Sequence, residues 1–255
     1  MPMDRDRLII FFEELRKRLI IIIVLVFLFA IVSFSFSDQV RHLLLLPGQM
    51  SFFGFEARGI DLQLIFLTPA EALMANLKLA FITSATITLP IILYQLVALI
   101  TAAAGMARRS AFVLAILMYL LFILGFSFAY FVGLPFALNF FLGFAAADLV
   151  PNFSFARYIS FTTTFLFSFG LVFQLPVVFW FLGSIGLLNT AFLKRNRKYA
   201  LLINVIVSAI LTPPDVFSQV LMAIPLMLLY ELGIFMVYLA NRKKKLVAET
   251  TIEVE

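Results

Sequence analysis

Ionisable and amide side chains stranded inside apolar runs are the residues of this chain with chemistry to explain. Glu231 sits in Leu228-Leu229-Tyr230-Glu231-Leu232, near the middle of a long apolar stretch, where a charge costs about 2.5–3.5 kcal/mol on insertion scales. It serves either as a structural hydrogen bond to a neighbouring helix or as a site for a proton or a partner. Gln174 stands two residues before Pro176. That proline removes a backbone donor and frees a carbonyl near position 172, which the amide can satisfy. The same amide can instead dock another polar membrane helix. Glu71 follows Thr68-Pro69-Ala70, a helix-start pattern with an acid in the first turn, so capping is its expected role. Lys78 shares a face with Glu71 but lies too far along for a direct pair, and is expected to snorkel outward or meet an acidic partner.

Enzyme chemistry finds few candidates. Cysteine is absent and His42 is the single histidine, which excludes HExxH zinc chemistry, Ser-His catalysis and Cys-ligated metal. There is no Gly-x-Ser-x-Gly and no P-loop, and every aspartate falls outside a helix centre. No catalytic residue, metal site or cofactor is expected. A receptor, a scaffold, a channel or an ion-coupled carrier remains.

The elements that must hold these side chains are membrane helices. At 64% hydrophobic residues and a mean hydropathy of +1.10, the chain is far too apolar for a soluble domain. Apolar runs predict an all-α bundle with six crossings at about 19–36, 70–96, 110–133, 158–185, 199–211 and 217–240. They form one membrane domain over residues 1–245, with a disordered tail at 246–255. Loops at about 37–69 and 134–157 are expected to cap the outer side. Arg16, Lys17 and Arg18 precede the first run, which lacks a small-residue cleavage site and reads as a retained signal anchor. With alternating sides, fifteen Lys and Arg fall on the face that holds both termini and three on the other. That bias puts both ends in the cytoplasm and explains the net charge of +5 by the membrane surface rather than by nucleic acid. The fifth run, Tyr199 to Leu211, would span only roughly 20 Å against about 30 Å of hydrocarbon. The bilayer must thin beside the hairpin it forms around Pro213, Pro214, Asp215 and Gln219, with Asp215 as the expected cap of the last helix. Pro90, Pro135 and Pro225 are expected to kink or end helices.

Several strings, in order along nearly the whole chain, resemble TatC, the polytopic subunit of the twin-arginine protein translocase. They are Phe11-Phe12-Glu13-Glu14-Leu15-Arg16-Lys17-Arg18-Leu19, Thr68-Pro69-Ala70-Glu71, Leu89-Pro90-Ile91-Ile92-Leu93-Tyr94-Gln95, Phe128-Ala129-Tyr130-Phe131, Phe169 through Pro176, Leu211 to Gln219, and Ile224-Pro225 through Tyr230-Glu231. The resemblance implies a cupped, glove-like six-helix bundle whose last two helices are short. It implies a receptor for the twin-arginine signal peptides of folded cargo. Single-span TatA/TatB-type subunits are the implied partners, in a hetero-oligomer where self-association is open, with the protonmotive force as driver and no cofactor. Glu14 matches a family glutamate that helps hold the cargo arginines, with Arg16 and Arg18 at the adjacent basic positions. A carboxylate there can accept a bidentate guanidinium bond; the bland alternative is a helix first turn offset by its basic neighbours. Gln174, Glu71 and Glu231 are the implied polar cluster for partner helices.

The first inner loop departs from the family pattern. Leu99 stands in place of an aromatic residue, Ala102 in place of a proline, and Arg108 in place of the glutamate central to arginine recognition. An arginine facing two cargo arginines repels them. Gln174 stands where many relatives carry glutamate, which keeps hydrogen bonding and removes titration. Three functions are therefore weighed: a cargo receptor and translocase core in the cell membrane; a scaffold of the same fold that no longer reads twin arginines; and an ion-coupled carrier using Glu231, which the lack of internal repeats disfavours.

Overall fold

A computed structural model describes residues 5–49, 64–66, 68–103, 108–143, 153–211 and 216–252. The elements run α1 (Arg5–Ser35), α2 (Ser37–Leu45), a 3-10 turn (Leu46–Gln49), β1 (Leu64–Ile65), α3 (Pro69–Ala103), α4 (Arg108–Phe128), a π-helical turn (Ala129–Gly133) and α5 (Leu134–Gly143). They continue with β2 (Phe153–Ser154), α6 (Phe155–Val172), α7 (Leu175–Ser184), α8 (Thr190–Arg195), α9 (Arg197–Leu211) and α10 (Val216–Ile252). Helices dominate because a backbone in hydrocarbon must satisfy its polar groups internally. Among the described residues, five spans are long and apolar enough to cross a membrane: Phe12–Ser35, Pro69–Leu99, Ala111–Asn139, Phe155–Ser184 and Met222–Arg242.

Helices overrun the apolar runs that reveal them. α1 begins at Arg5, well ahead of residue 19, because Leu, Glu, Arg and Lys propagate a helix as well in water as in lipid. α3 continues through Ala103 and α4 starts at Arg108, so the inner loop expected at 99–109 is largely helical. The same holds at the far end. α10 has 37 residues, and its backbone stays helical to Ile252 through the segment expected to be disordered from Leu246. Of the final pair, then, only α9, at 15 residues, is short; a 15-residue helix measures roughly 22 Å. Part of the loop expected at 134–157 is α5.

The prolines act less uniformly than their chemistry suggests. Pro90 and Pro225 lie inside continuous helices. Ahead of Pro135 the ladder slips to a π turn, with Leu134 N–H donating to Ala129 O, which absorbs the missing donor without ending the helix. At Pro176 the helix does break, between α6 and α7. Pro213, Pro214 and Asp215 lie outside the described residues.

The chain forms two compact units. In the first, Met1–Ile123 with Phe144–Thr163, α1 and α3 pack through small residues. Ala30, Ala75 and Ala80 are buried, and Ser84 Oγ donates to Val26 O at 2.5 Å. Close approach of this kind drives helix association in lipid, where burial of apolar surface no longer distinguishes partners. Tyr158 donates its hydroxyl to Leu44 O at 2.7 Å. β1 and β2 pair in parallel, Leu64 with Phe153 and Ile65 with Ser154.

The second unit comprises Leu124–Gly143 and Thr164–Glu255. α7 packs on α10, where a Cβ at Gly233 would come within 2.4 Å of the Phe179 ring. That ring stands edge-on to Tyr230, centroids 5.7 Å apart. Tyr230 in turn donates to Leu193 O at 2.9 Å. Gly125 is more constrained still. A Cβ there would lie 2.6 Å from Phe173 Cγ and 2.8 Å from the Phe169 carbonyl oxygen, which cannot rotate away. Gly125→Ala should therefore cost about 1–3 kcal/mol of stability, read as a lowered unfolding midpoint in detergent; an unchanged midpoint would contradict the close packing.

Candidate functional site

Extending α1 toward the N-terminus places Glu14 and Arg18 one helical turn apart. Arg18 Nη2 donates to Glu14 Oε1 at 2.6 Å. Its other terminal nitrogen, Nη1, reaches α3, donating to the Gln95 carbonyl oxygen at 3.1 Å and to Gln95 Oε1 at 2.8 Å. Arg18 Nε is buried with no hydrogen-bond partner among the described residues. The Arg18 side chain is 20% exposed and that of Glu14 45%, so the carboxylate is the accessible end. Arg16 points to the exposed face of α1. Leu99 lies one turn beyond Gln95 on α3 and is buried. Arg108 opens α4, and its side chain lies outside the described residues; Arg109 beside it is exposed. Gln95 carries no signal of its own in the sequence beyond ending the Leu89–Gln95 string. Its meeting with Arg18, 77 positions away, arises from packing alone.

The three polar residues grouped for partner helices each have a partner of their own. Glu71 N–H donates to Thr68 Oγ1 at 3.3 Å, as the capping pattern requires, and its carboxylate accepts from Ser154 Oγ. Gln174 is buried at the break between α6 and α7, where its Nε2 donates to Gly170 O at 3.3 Å. The amide thus turns back on its own helix, one turn before the proline-induced gap. Glu231 pairs with Arg197 at 2.7 Å, both side chains close to half exposed. Lys78 is exposed, as the outward alternative expects, and its Nζ donates to Ser160 Oγ at 2.5 Å. In the hairpin, Gln219 Nε2 donates to Val205 O at 2.9 Å, tying α10 to α9. Asn204 and Ser208, buried in α9 and marked by no sequence pattern, add to this: Ser208 Oγ donates to Asn204 O at 2.7 Å, and Asn204 Nδ2 meets Met227 Sδ at 3.8 Å.

A family profile described as "Sec-independent protein translocase protein (TatC)" matches residues 11–225. The chain belongs to the TatC family. A TatC of Aquifex aeolicus is 39% identical over 235 residues, covering 91% of this chain and 95% of its own. One of Carboxydothermus hydrogenoformans is 38% identical over 226 residues, covering 88% and 89%. A solved structure, "Crystal Structure of Twin Arginine Translocase Receptor- TatC", superposes with a TM-score of 0.79 at 36% identity, over 91% of this chain and 99% of that one. The fold class read from the apolar runs, a helical polytopic membrane protein, is thereby established, as is membership in a protein translocase family.

In this TatC chain the Arg197–Glu231 pair has a simple energetic consequence. Glu231 lies within the span Met222–Arg242, and removing Arg197 leaves its charge unpaired in an apolar stretch. Arg197→Leu should cost on the order of 1–3 kcal/mol. Arg197→Leu combined with Glu231→Leu should recover most of it, because no lone charge remains. Unfolding midpoints of the two single variants and the double variant measure the coupling; additive losses would show the pair to be energetically idle.

Proposed function

We propose that this chain is the receptor and core subunit of a Sec-independent translocase, binding twin-arginine signal peptides and recruiting TatA/TatB-type single-span subunits. The observation that carries the reading is the Glu14–Arg18–Gln95 arrangement in a chain of this family. Glu14 already holds a guanidinium, supplied by its own helix, and presents the exposed end of the pair. An incoming arginine takes the place of Arg18 on the carboxylate, while Gln95 retains Arg18 through two bonds and keeps it from drifting into the vacated space. Arginine is favoured over lysine because its planar fork can bind a carboxylate with two parallel bonds. The basic bias orients both termini toward the cytoplasm of a bacterial inner membrane, so the pair faces cargo before export.

Transport follows from geometry rather than catalysis. α9 is too short for an ordinary bilayer. Partner helices gathered beside it would meet lipid already thinned, and the protonmotive force would drive folded cargo across.

Glu14→Ala should lower signal-peptide affinity by about 1–3 kcal/mol, measured by crosslinking or pull-down of a twin-arginine peptide. Binding of a Lys-Lys peptide equal to that of the Arg-Arg peptide would rule out arginine readout. Arg108 favours a second reading, a scaffold of the same fold that has lost cargo recognition, because a cation at that position repels the peptide. On that reading the chain fails to restore export in a strain lacking its own TatC, and Arg108→Glu rescues it; export by the unaltered chain would exclude it.

A further inference from the structure

Two hollows flank the basic end of α10. One, of about 620 Å³, is lined by Asn189, Thr190, Tyr238, Asn241 and Arg242 among others. The other, of about 370 Å³, is lined by Thr190, Lys194, Arg197, Glu231, Phe235 and Tyr238 among others. Because Thr190 and Tyr238 belong to both, the hollows form one cleft along α10 from Glu231 to Arg242. Eleven residues of helix make that cleft roughly 16 Å long. Its two ends differ in depth. Arg242 ends the apolar span, whereas Glu231 lies near its middle and is met there by Arg197, the first residue of the short α9. The α8–α9 turn, with Lys194 and Arg197, is thus linked through this contact to the inner part of the span.

Charge and hydropathy together say what fits. Lys194, Arg197 and Arg242 face a single carboxylate, Glu231, which Arg197 already engages. Lys194 and Arg242 are left to hold an anion, with the amides of Asn189 and Asn241 and the hydroxyls of Thr190 and Tyr238 as hydrogen-bonding groups on the same wall. Ile234 and the half-exposed Phe235 supply an apolar side. We propose that this cleft binds the phosphate headgroup of an anionic phospholipid, drawn inward past the ordinary headgroup level, with its acyl chains along Phe235. Basic hollows between membrane helices select anionic headgroups, and a lipid held deep at the end of a short helix relieves the mismatch that helix creates.

The test uses the full chain purified in detergent, given equal amounts of dioleoyl phosphatidylglycerol and dioleoyl phosphatidylcholine and studied by native mass spectrometry. Phosphatidylglycerol should be retained preferentially. Lys194→Gln with Arg242→Gln should weaken that retention roughly tenfold or more, while Arg109→Gln, exposed and outside the cleft, should leave it intact. Equal retention of the two lipids, an unaffected double variant, or an equal loss in Arg109→Gln would overturn the proposal. Complete displacement of phosphatidylglycerol by excess inorganic phosphate would also overturn it, by showing a site for the free anion alone. If the double variant does not fold, the wild-type comparison and the single variant Arg242→Gln decide the matter by the same criteria.

Discussion

The pairing of Arg197 with Glu231 ties the start of a 15-residue helix to the middle of a membrane span. A carboxylate in that place gains from a cation beside it, and the first residue of α9 supplies one. The short helix and the paired charge thus meet in a single contact. The segment that carries Lys194, Arg195, Arg197 and Lys198 is held against α10 beside this contact. Tyr230, beside Glu231, fastens the same turn by its bond to Leu193 O.

Close packing of glycine against aromatic rings supports this arrangement from behind. Gly233 admits Phe179, and Phe179 stands against Tyr230, so the helix that carries Glu231 cannot rotate without losing both contacts. Gly125 and Gly133 do the same for the rings of Phe173 and Phe165. With 32 phenylalanines in the chain, such contacts need small partners, and in lipid shape matters more than apolarity.

The amino-terminal pair works by a different principle. Glu14 and Arg18 satisfy one another within α1 through a charge-assisted hydrogen bond. Gln95 gives Arg18 a second set of acceptors. On the proposed reading, exchange of one guanidinium for another would keep the carboxylate paired, so binding would not start from a bare anion.

Features that depend on neighbours along the chain were legible in the sequence. Apolar runs located the long spans, Thr68-Pro69-Ala70-Glu71 marked a helix start that the Thr68 bond bears out, and Pro176 marked a missing donor inside the run 158–185, where the structure breaks the helix outright. The shortness of α9 followed from counting residues between Lys198 and Leu211. Helix ends beyond the apolar runs were misplaced, because hydropathy reports where lipid contact stops, not where backbone hydrogen bonding stops. Only the tertiary structure decided which side chains meet. Gln95 reaches Arg18 from 77 positions away, Ser160 reaches Lys78 from 82, and Tyr158 reaches Leu44 from 114. A glutamate in an apolar run shows that a partner is needed; helix packing alone determines that the partner of Glu231 is Arg197.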